Sequence, residues 1–212
     1  LTGGQFTNAS AVAGNDLSTF PDFPAEIRAP VGTTLGVSSF QINFGQIKIL
    51  TAGDELDVLV AMNPAALKVE SKSLKKGGLL ILDTGSFNDR NINRAGFKAN
   101  PLNDNSLETF KLLKIDISAL TMECVKEFGL GKKDSLRCKN LWTLGLIYWM
   151  YGRSREQTIE WLQKKFSKKS NIAAANIAAL NAGHAFGETT EISGDISHQI
   201  VPPAKTDPGN YR

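Results

Sequence analysis

The sequence contains little cysteine and little histidine, with two of each among 212 residues. The spacing of Cys124 and Cys138 fits neither a zinc site nor an iron–sulfur site. His184 and His198 stand apart, without a recognisable metal ligand or acid–base partner in the sequence around them. We therefore predict no metal site in this chain. Two cysteines in a chain of this size also favour reduced thiols, and with them a cytoplasmic protein.

Long apolar runs are missing as well. The most apolar stretch, residues 141–151, is 11 residues long, whereas roughly 20 residues are needed to cross a bilayer. We therefore expect no contact with a membrane and predict a buried helix here. Its two tryptophans, Trp142 and Trp149, suit either the core of the domain or a subunit interface.

The chain also lacks a strong charge of either sign, and its net charge is +3. Its 24 basic residues are spread along the sequence, which gives no indication of a nucleic-acid partner. The densest basic cluster consists of four lysines at the end of an amphipathic pattern, where cations favour the helix dipole. These are Lys164, Lys165, Lys168 and Lys169.

A complete glycine motif for phosphate binding is absent too. Gly129 and Gly131 are followed by Lys132 and Lys133, so the third glycine of a dinucleotide-binding fingerprint is missing. The pair also follows a predicted helix, whereas the fingerprint follows a strand. No Walker-type loop occurs in the sequence.

A βαβ unit is the clearest structural feature that the sequence does contain. Residues 57–62 form a short apolar run typical of a strand covered on both faces. Asn63 is a suitable helix N-cap and Pro64 a suitable first residue. We predict that Lys75 and Lys76 end this helix, that Gly77 caps it, and that residues 78–83 form a strand parallel to the first.

Further elements follow towards the C-terminus. Residues 85–107 are polar and rich in asparagine, and we predict a loop here with one helical turn or a short strand. A strand over 110–117 follows, and then a helix capped by Ser118 and closed by Gly129. Ser154 and Gln157 have the spacing of a capping box, and residues 171–185 form an alanine-rich helix. The predicted fold class is α/β, a three-layer Rossmann-like domain with a mixed or mostly parallel sheet.

Residues 20–44 combine a proline-framed loop with a strand. Phe40, Ile42 and Phe44 alternate with polar residues, as expected for a half-buried strand. The prolines stiffen the loop that carries Arg28. Arg28 either forms a structural ion pair with Glu26 or binds an anion together with the turn at Thr33 and Thr34. The second role suits a guanidinium group because it can form a bidentate hydrogen-bonded pair with phosphate.

Asp83 and Asp116 follow strands and are either ligand-binding residues or helix caps.

This segment resembles the gamma-type domain of the 2-oxoacid:ferredoxin oxidoreductases, and most of all the fused gamma–alpha chain of the 2-oxoglutarate-type enzymes. The resemblance covers nearly the whole chain, through LDVLVAMNPAAL, GGLLILDT, RCKNLWTLGLIYWMYGR and IEWLQKKF. It implies a gamma-type domain over residues 1–195, without the family's N-terminal strand and glycine loop. Residues 196–212 would then form a linker toward a thiamine-binding domain outside this chain.

The resemblance further implies oxidative decarboxylation of a 2-oxoacid, with 2-oxoglutarate expected, to its acyl-CoA with electrons passed to ferredoxin. Coenzyme A would bind this domain through Arg28, Thr33, Thr34 and Asn63. Thiamine diphosphate, Mg²⁺ and [4Fe–4S] clusters would belong to other domains or subunits, so this fragment alone should be inactive and hold no catalytic residue.

The implied partners are the beta subunit of the same enzyme and ferredoxin, in a dimer of heterodimers. Two other functions stay open from the residues alone. One is an independent nucleotide-binding dehydrogenase domain, and the other is a purely structural interface domain.

Overall fold

The computed structural model describes residues 2–22, 32–194 and 196–204. The chain starts with helix α1 (Thr2–Val12) and strand β1 (Asp16–Asp22), and after a 3₁₀ turn at Thr34–Gly36 it forms strand β2 (Ser39–Gly45). The two strands pair in antiparallel fashion. The predicted strand at residues 40–44 is thus confirmed, and its apolar face meets the core through Ile42 and Phe44.

A parallel three-stranded sheet follows, in the order β3–β4–β5. It is built from β3 (Leu56–Ala61), helix α2 (Pro64–Glu70), β4 (Leu74–Asp83), helix α3 (Asp89–Arg94) and β5 (Lys111–Ile115). Each neighbouring pair of strands is parallel. The predicted βαβ unit and the α/β class are therefore confirmed.

The predicted end of α2 was wrong. The helix ends at Glu70, and the chain re-enters the sheet after a 3₁₀ turn at Ser71–Ser73, so Lys75 and Lys76 belong to β4. The pairing of β4 with β3 slips between Leu56 and Val58. Gly77 has a left-handed φ of 76° within this bulge and caps no helix. A bulged strand needs such a residue just as a helix end does, and local sequence does not distinguish the two.

The boundary between β5 and the next helix was also predicted too late. β5 ends at Ile115, and the helix α4 (Ile117–Cys124) begins two residues later. The Asp116 side chain caps it by accepting from the N–H of Ala119 at 2.8 Å, so Asp116 takes the role predicted for Ser118. Gly129 follows a separate 3₁₀ turn at Lys126–Phe128. Ile117 is fully buried in the first turn of α4, and this is why the apolar pattern extended the predicted strand.

The remaining elements are helices α5 (Lys132–Arg137), α6 (Lys139–Met150), α7 (Glu156–Lys165) and α8 (Ser170–Ser193). The predicted helices at 141–151 and 171–185 are thus confirmed. The capping box at Ser154 and Gln157 was wrong, because α7 begins at Glu156 and the Ser154 hydroxyl accepts from the N–H of Glu156. None of the described helices combines the length and apolar character that crossing a bilayer requires.

The parallel sheet lies between two helical layers of unequal size. Alternate strand residues face opposite sides, as the two-residue period of a strand requires. Leu80 and Leu82 face a small cluster under α2 and α3. Ile81 faces the larger cluster formed with α4, α6 and α8. This is the predicted three-layer arrangement. Trp142 and Trp149 lie in the larger cluster, 1% and 2% exposed, and are core residues of this domain.

Residues 196–204, within the predicted linker, have no regular secondary structure and pack along the domain. Ile196 is buried in the larger cluster. The N–H of Gln199 donates to the Met150 carbonyl at 2.6 Å, and the N–H of Ala204 donates to the Gly14 carbonyl at 2.7 Å.

Helices α6 and α8 approach each other closely enough for backbone contact. A Cβ atom added at Gly145 would collide with the Leu180 carbonyl oxygen, and one added at Gly183 would collide with the Trp142 carbonyl oxygen. Only glycine permits this short distance between α6 and α8, the two longest helices that the structure describes.

We expect Gly145→Ala to lower the free energy of unfolding by about 1–3 kcal/mol or more, because the added methyl group must push the two helices apart. The matched control is Gly4→Ala in α1, where an added Cβ meets nothing within 4 Å. That change should be neutral or stabilising, since alanine is favoured over glycine in a helix. Thermal unfolding of the full-length protein measures both, and equal melting temperatures for the two variants would contradict the prediction.

Candidate functional site

The polar residues that follow the parallel strands meet at the carboxyl edge of the sheet, where open α/β sheets bind their ligands. Asn63 follows β3, Asp83 ends β4, and Asp116 follows β5. The sequence analysis singled out all three, and the structure places them on neighbouring strand ends.

Asp83 is the most deeply buried of the three, with no exposed side-chain surface. Its carboxylate accepts hydrogen bonds from the Ser86 hydroxyl at 2.7 Å, the Ser118 hydroxyl at 2.8 Å and the Ser118 N–H at 3.0 Å. Its cation partner is Lys139, whose Nζ lies 3.0 Å away. A buried carboxylate needs such partners because its desolvation is costly.

Lys139 was missed by the sequence analysis. It is the first residue of α6, far from Asp83 along the chain, and its ammonium also donates to the Ser86 hydroxyl at 3.2 Å. No local spacing indicates such a pair. The sequence offered one indication of a buried role for Lys139, namely its position as a charged residue at the start of the mostly apolar helix α6.

The Asp83 network holds three elements together. It joins the end of β4, the first turn of α4 at Ser118 and the first residue of α6 at Lys139. The loop after β4 is tight at the same point, since a Cβ atom at Gly85 would collide with the Asp116 carboxylate. Two carboxylates against one ammonium make the ends of β4 and β5 a poor binding site for an anion. The arrangement is suited to fixing the positions of α4 and α6.

Asn63 is a helix cap, as predicted. Its side-chain oxygen accepts from the N–H of Ala66 at 2.9 Å, and Pro64 occupies the first turn of α2. The 3₁₀ turn at Thr34–Gly36 packs beside α2, and Thr33 immediately precedes that turn in an extended conformation. The structure therefore brings Thr33, Thr34 and α2 together. Arg28 and Glu26 lie outside the described residues.

The histidines and cysteines occupy structural environments. His184 Nδ1 lies 3.6 Å from the Glu188 carboxylate on the same helix, and the ring of His198 packs against Trp149 with centroids 4.4 Å apart. Burial raises the pKa of the Cys138 thiol to about 11, so Cys138 stays protonated at neutral pH. Both cysteines are free.

The sequence profile of the pyruvate ferredoxin/flavodoxin oxidoreductase family matches residues 1–186 of this chain. The chain belongs to this family. Over all 212 residues it is 48% identical to the 2-oxoglutarate oxidoreductase subunit KorA of Mycobacterium tuberculosis, and it spans 32% of the length of that relative. The predicted membership of the 2-oxoacid oxidoreductases is therefore confirmed.

Two solved oxidoreductase structures share the fold. The chain is similar to the 2-oxoglutarate:ferredoxin oxidoreductase of Magnetococcus marinus with a TM-score of 0.65 and 24% identity, over 96% of this chain and 30% of that one. It is also similar to the pyruvate oxidoreductase subunit PORC of Thermotoga maritima, with a TM-score of 0.51 and 20% identity, over 87% of this chain and 86% of that one.

The family's name implies electron transfer, and the resemblance above implies iron–sulfur clusters for it. The residues of this chain do not fit a cluster. A [4Fe–4S] cluster takes four thiolates, whereas this chain has two cysteines. Among the described residues, no group of three or more His, Cys, Asp or Glu side chains is placed to hold a metal ion.

We expect Lys139→Met to destabilise this family member strongly, because it leaves the buried Asp83 carboxylate without its cation. Removing one partner of a buried pair costs about 3–5 kcal/mol. The lower end applies here, since the Lys139 side chain is 23% exposed and Asp83 keeps three other hydrogen bonds. Chemical denaturation of the full-length protein measures the loss.

Lys126→Met is the control, since the Lys126–Glu123 pair is 3.9 Å apart with both side chains more than three-quarters exposed. It should leave stability almost unchanged. Adding Asp83→Asn to Lys139→Met should recover part of the loss, because the unpaired charge is then removed. The prediction fails if the losses of stability are additive, that is, if the double variant loses as much as Lys139→Met and Asp83→Asn lose together. Asp83 and Lys139 would then not be coupled.

Proposed function

We propose that this chain is a domain of a 2-oxoglutarate:ferredoxin oxidoreductase, in which it helps to bind coenzyme A and to assemble the subunits. The observation that carries the proposal is the 48% identity over the whole chain to a 2-oxoglutarate oxidoreductase subunit. At that level of identity the two chains share their fold. The complete enzyme would oxidatively decarboxylate 2-oxoglutarate to its acyl-CoA and pass the electrons to ferredoxin.

A role at coenzyme A is supported by the Magnetococcus marinus enzyme, which is described with 2-oxoglutarate, coenzyme A and succinyl-CoA bound. When bound, coenzyme A supplies the thiol that accepts the acyl group. This chain's residues would hold the rest of the cofactor. Thiamine diphosphate, Mg²⁺ and the [4Fe–4S] clusters would belong to other domains or subunits.

The coenzyme A contacts that we propose are Arg28, Thr33, Thr34 and Asn63. The turn at Thr34–Gly36 packs beside α2, the helix that Asn63 caps. The Asn63 oxygen is used in capping α2, which leaves its amide nitrogen as a donor. Arg28 would add a guanidinium, which matches the geometry of a phosphate.

Subunit assembly is supported by exposed apolar side chains around the antiparallel strand pair. Ile47 and Leu50, which line one cleft beside β2, are 73% and 79% exposed. Exposed apolar residues that lie together mark contact surfaces. The partners that we propose are the beta subunit of the same enzyme and ferredoxin, in a cytoplasmic dimer of heterodimers.

The first test measures coenzyme-A-dependent reduction of an electron acceptor by the full-length protein co-expressed with its partner subunit. Arg28→Ala should raise the KM for coenzyme A roughly 10- to 100-fold, since a hydrogen bond to a charged group contributes about 1.5–3 kcal/mol. The KM for 2-oxoglutarate should stay the same. Arg90→Ala, which removes an exposed arginine of α3, is the control and should change neither constant.

The possible outcomes separate the proposals. Turnover with 2-oxoglutarate that does not respond to Arg28→Ala would make Arg28 structural and favour an interface role for the domain. Turnover with pyruvate but not with 2-oxoglutarate would show that pyruvate is the substrate, and it would leave the family assignment unchanged. Reduction of a nicotinamide cofactor without any 2-oxoacid would favour the dehydrogenase alternative.

A second test uses Asn63→Asp. Aspartate keeps the helix cap, so the melting temperature should not fall. The substitution removes the amide donor and adds a negative charge beside the proposed phosphate contact. We therefore expect a higher KM for coenzyme A, by roughly tenfold. In Asn63→Ser, which also keeps a cap, the increase should be smaller. An unchanged KM in Asn63→Asp would remove Asn63 from the site.

A further inference from the structure

A cleft of about 560 Å³ opens between the loop that follows β2 and residues 200–202. Its two walls lie far apart in the sequence, so only the folded domain forms it. Three apolar side chains that line it, Ile47, Leu50 and Ile200, are 73%, 79% and 70% exposed. Exposed apolar side chains that meet at one place mark a surface that another protein segment covers.

The loop wall of the cleft is fixed to the antiparallel strand pair. The N–H of Ile49 donates to the Asp16 carboxylate at 2.6 Å, and the Asn43 amide nitrogen donates to the Thr51 carbonyl at 3.1 Å. The Gln41 amide nitrogen donates to the carbonyls of the next two residues, both at 2.7 Å. The loop therefore presents its exposed apolar side chains from a fixed backbone, which reduces the entropy lost when a partner binds.

The other wall is fixed by a buried side-chain pair. Asn15 is 7% exposed, and its amide nitrogen donates to the Pro202 carbonyl at 2.6 Å. The Asn15 side-chain oxygen accepts from the guanidinium of Arg153, which is also buried. Asn15 directly precedes Asp16, so two neighbouring residues hold the two walls. The cleft is thus a preformed part of the domain.

The path of the chain indicates what covers the cleft. Residues 200–202 form one wall, the N–H of Ala204 then donates to the Gly14 carbonyl, and the sequence continues through residue 212. Under the proposed function this chain is one domain of a longer polypeptide, like its 48% identical relative, of which it spans 32%. A domain that follows residue 212 would be tethered next to the cleft. Tethering gives that domain a high effective concentration there, which a separate subunit lacks.

We propose that the cleft docks an apolar segment of the domain that follows this one in the same polypeptide. The inference rests on the proposed function and deepens its assembly role, because it assigns this surface to a contact within one subunit. The beta subunit would then meet other surfaces of the domain. Residues 196–204, predicted as part of a linker, would act as a strap that sets where the next domain begins.

The test is photo-cross-linking in the full-length polypeptide co-expressed with its partner subunit. Ile47 is replaced with p-benzoylphenylalanine, and the cross-linked peptides are identified by mass spectrometry after irradiation. Ile47 is chosen because it lies on the loop wall, distant in sequence from the chain that follows residue 204. We expect cross-links to peptides beyond residue 212. A mixture of ¹⁵N-labelled and unlabelled protein shows whether both peptides come from one copy.

Leu50→Glu in the same protein should lower the yield of these cross-links roughly tenfold, because it places a charge in the apolar contact. The matched control is Leu120→Glu, which alters a leucine of α4 that is 38% exposed and does not line the cleft. It should leave the yield unchanged.

Cross-links to the partner subunit or to a second copy, an absence of cross-links, or a yield that Leu50→Glu does not change would overturn the proposal. Turnover of 2-oxoglutarate by the wild type tests the proposed function independently. An enzyme that turns over 2-oxoglutarate but gives no cross-link beyond residue 212 would refute the docking alone. Cross-links without turnover would support the docking and refute the proposed activity.

Discussion

The buried Asp83 carboxylate is the constraint on which the domain's arrangement depends. It ends the central strand of the parallel sheet, and it is satisfied only when Ser118 and Lys139 reach it from α4 and α6. An unpartnered carboxylate at this depth would cost several kcal/mol, so the positions of both helices are coupled to β4. The Asp83 network thus links the sheet to the larger helical layer.

That larger layer is closely packed, since α6 and α8 touch through their backbones at Gly145 and Gly183. Aromatic side chains add to this contact, with Trp142 of α6 against Phe186 of α8 at 5.2 Å between ring centroids. The opposite layer, α2 and α3, is short and covers the sheet with a smaller cluster. Among the proposed ligand contacts, Thr33, Thr34 and Asn63 lie on a turn and a helix start beside this smaller layer.

The charged side chains at the carboxyl edge of the sheet have a structural role. At the carboxyl edge of the sheet, Asp83 and Asp116 outnumber Lys139, and all three are engaged in holding the fold. The charges at this edge therefore stabilise the fold.

The sequence by itself determined what depends on near neighbours. The βαβ unit, the Asn63 cap with Pro64, the strand at 40–44, the helices at 141–151 and 171–185 and the family all follow from local patterns and their order. Element ends were less predictable, because a glycine with positive φ serves a bulge at Gly77 as well as a helix end, and a buried Ile117 suits a helix as well as a strand. Only the tertiary structure decided which residues meet across the chain. The Asp83–Lys139 pair, the glycine contact between α6 and α8 and the burial of Arg153 all join distant segments, and their energies arise from desolvation and close packing that no local spacing encodes.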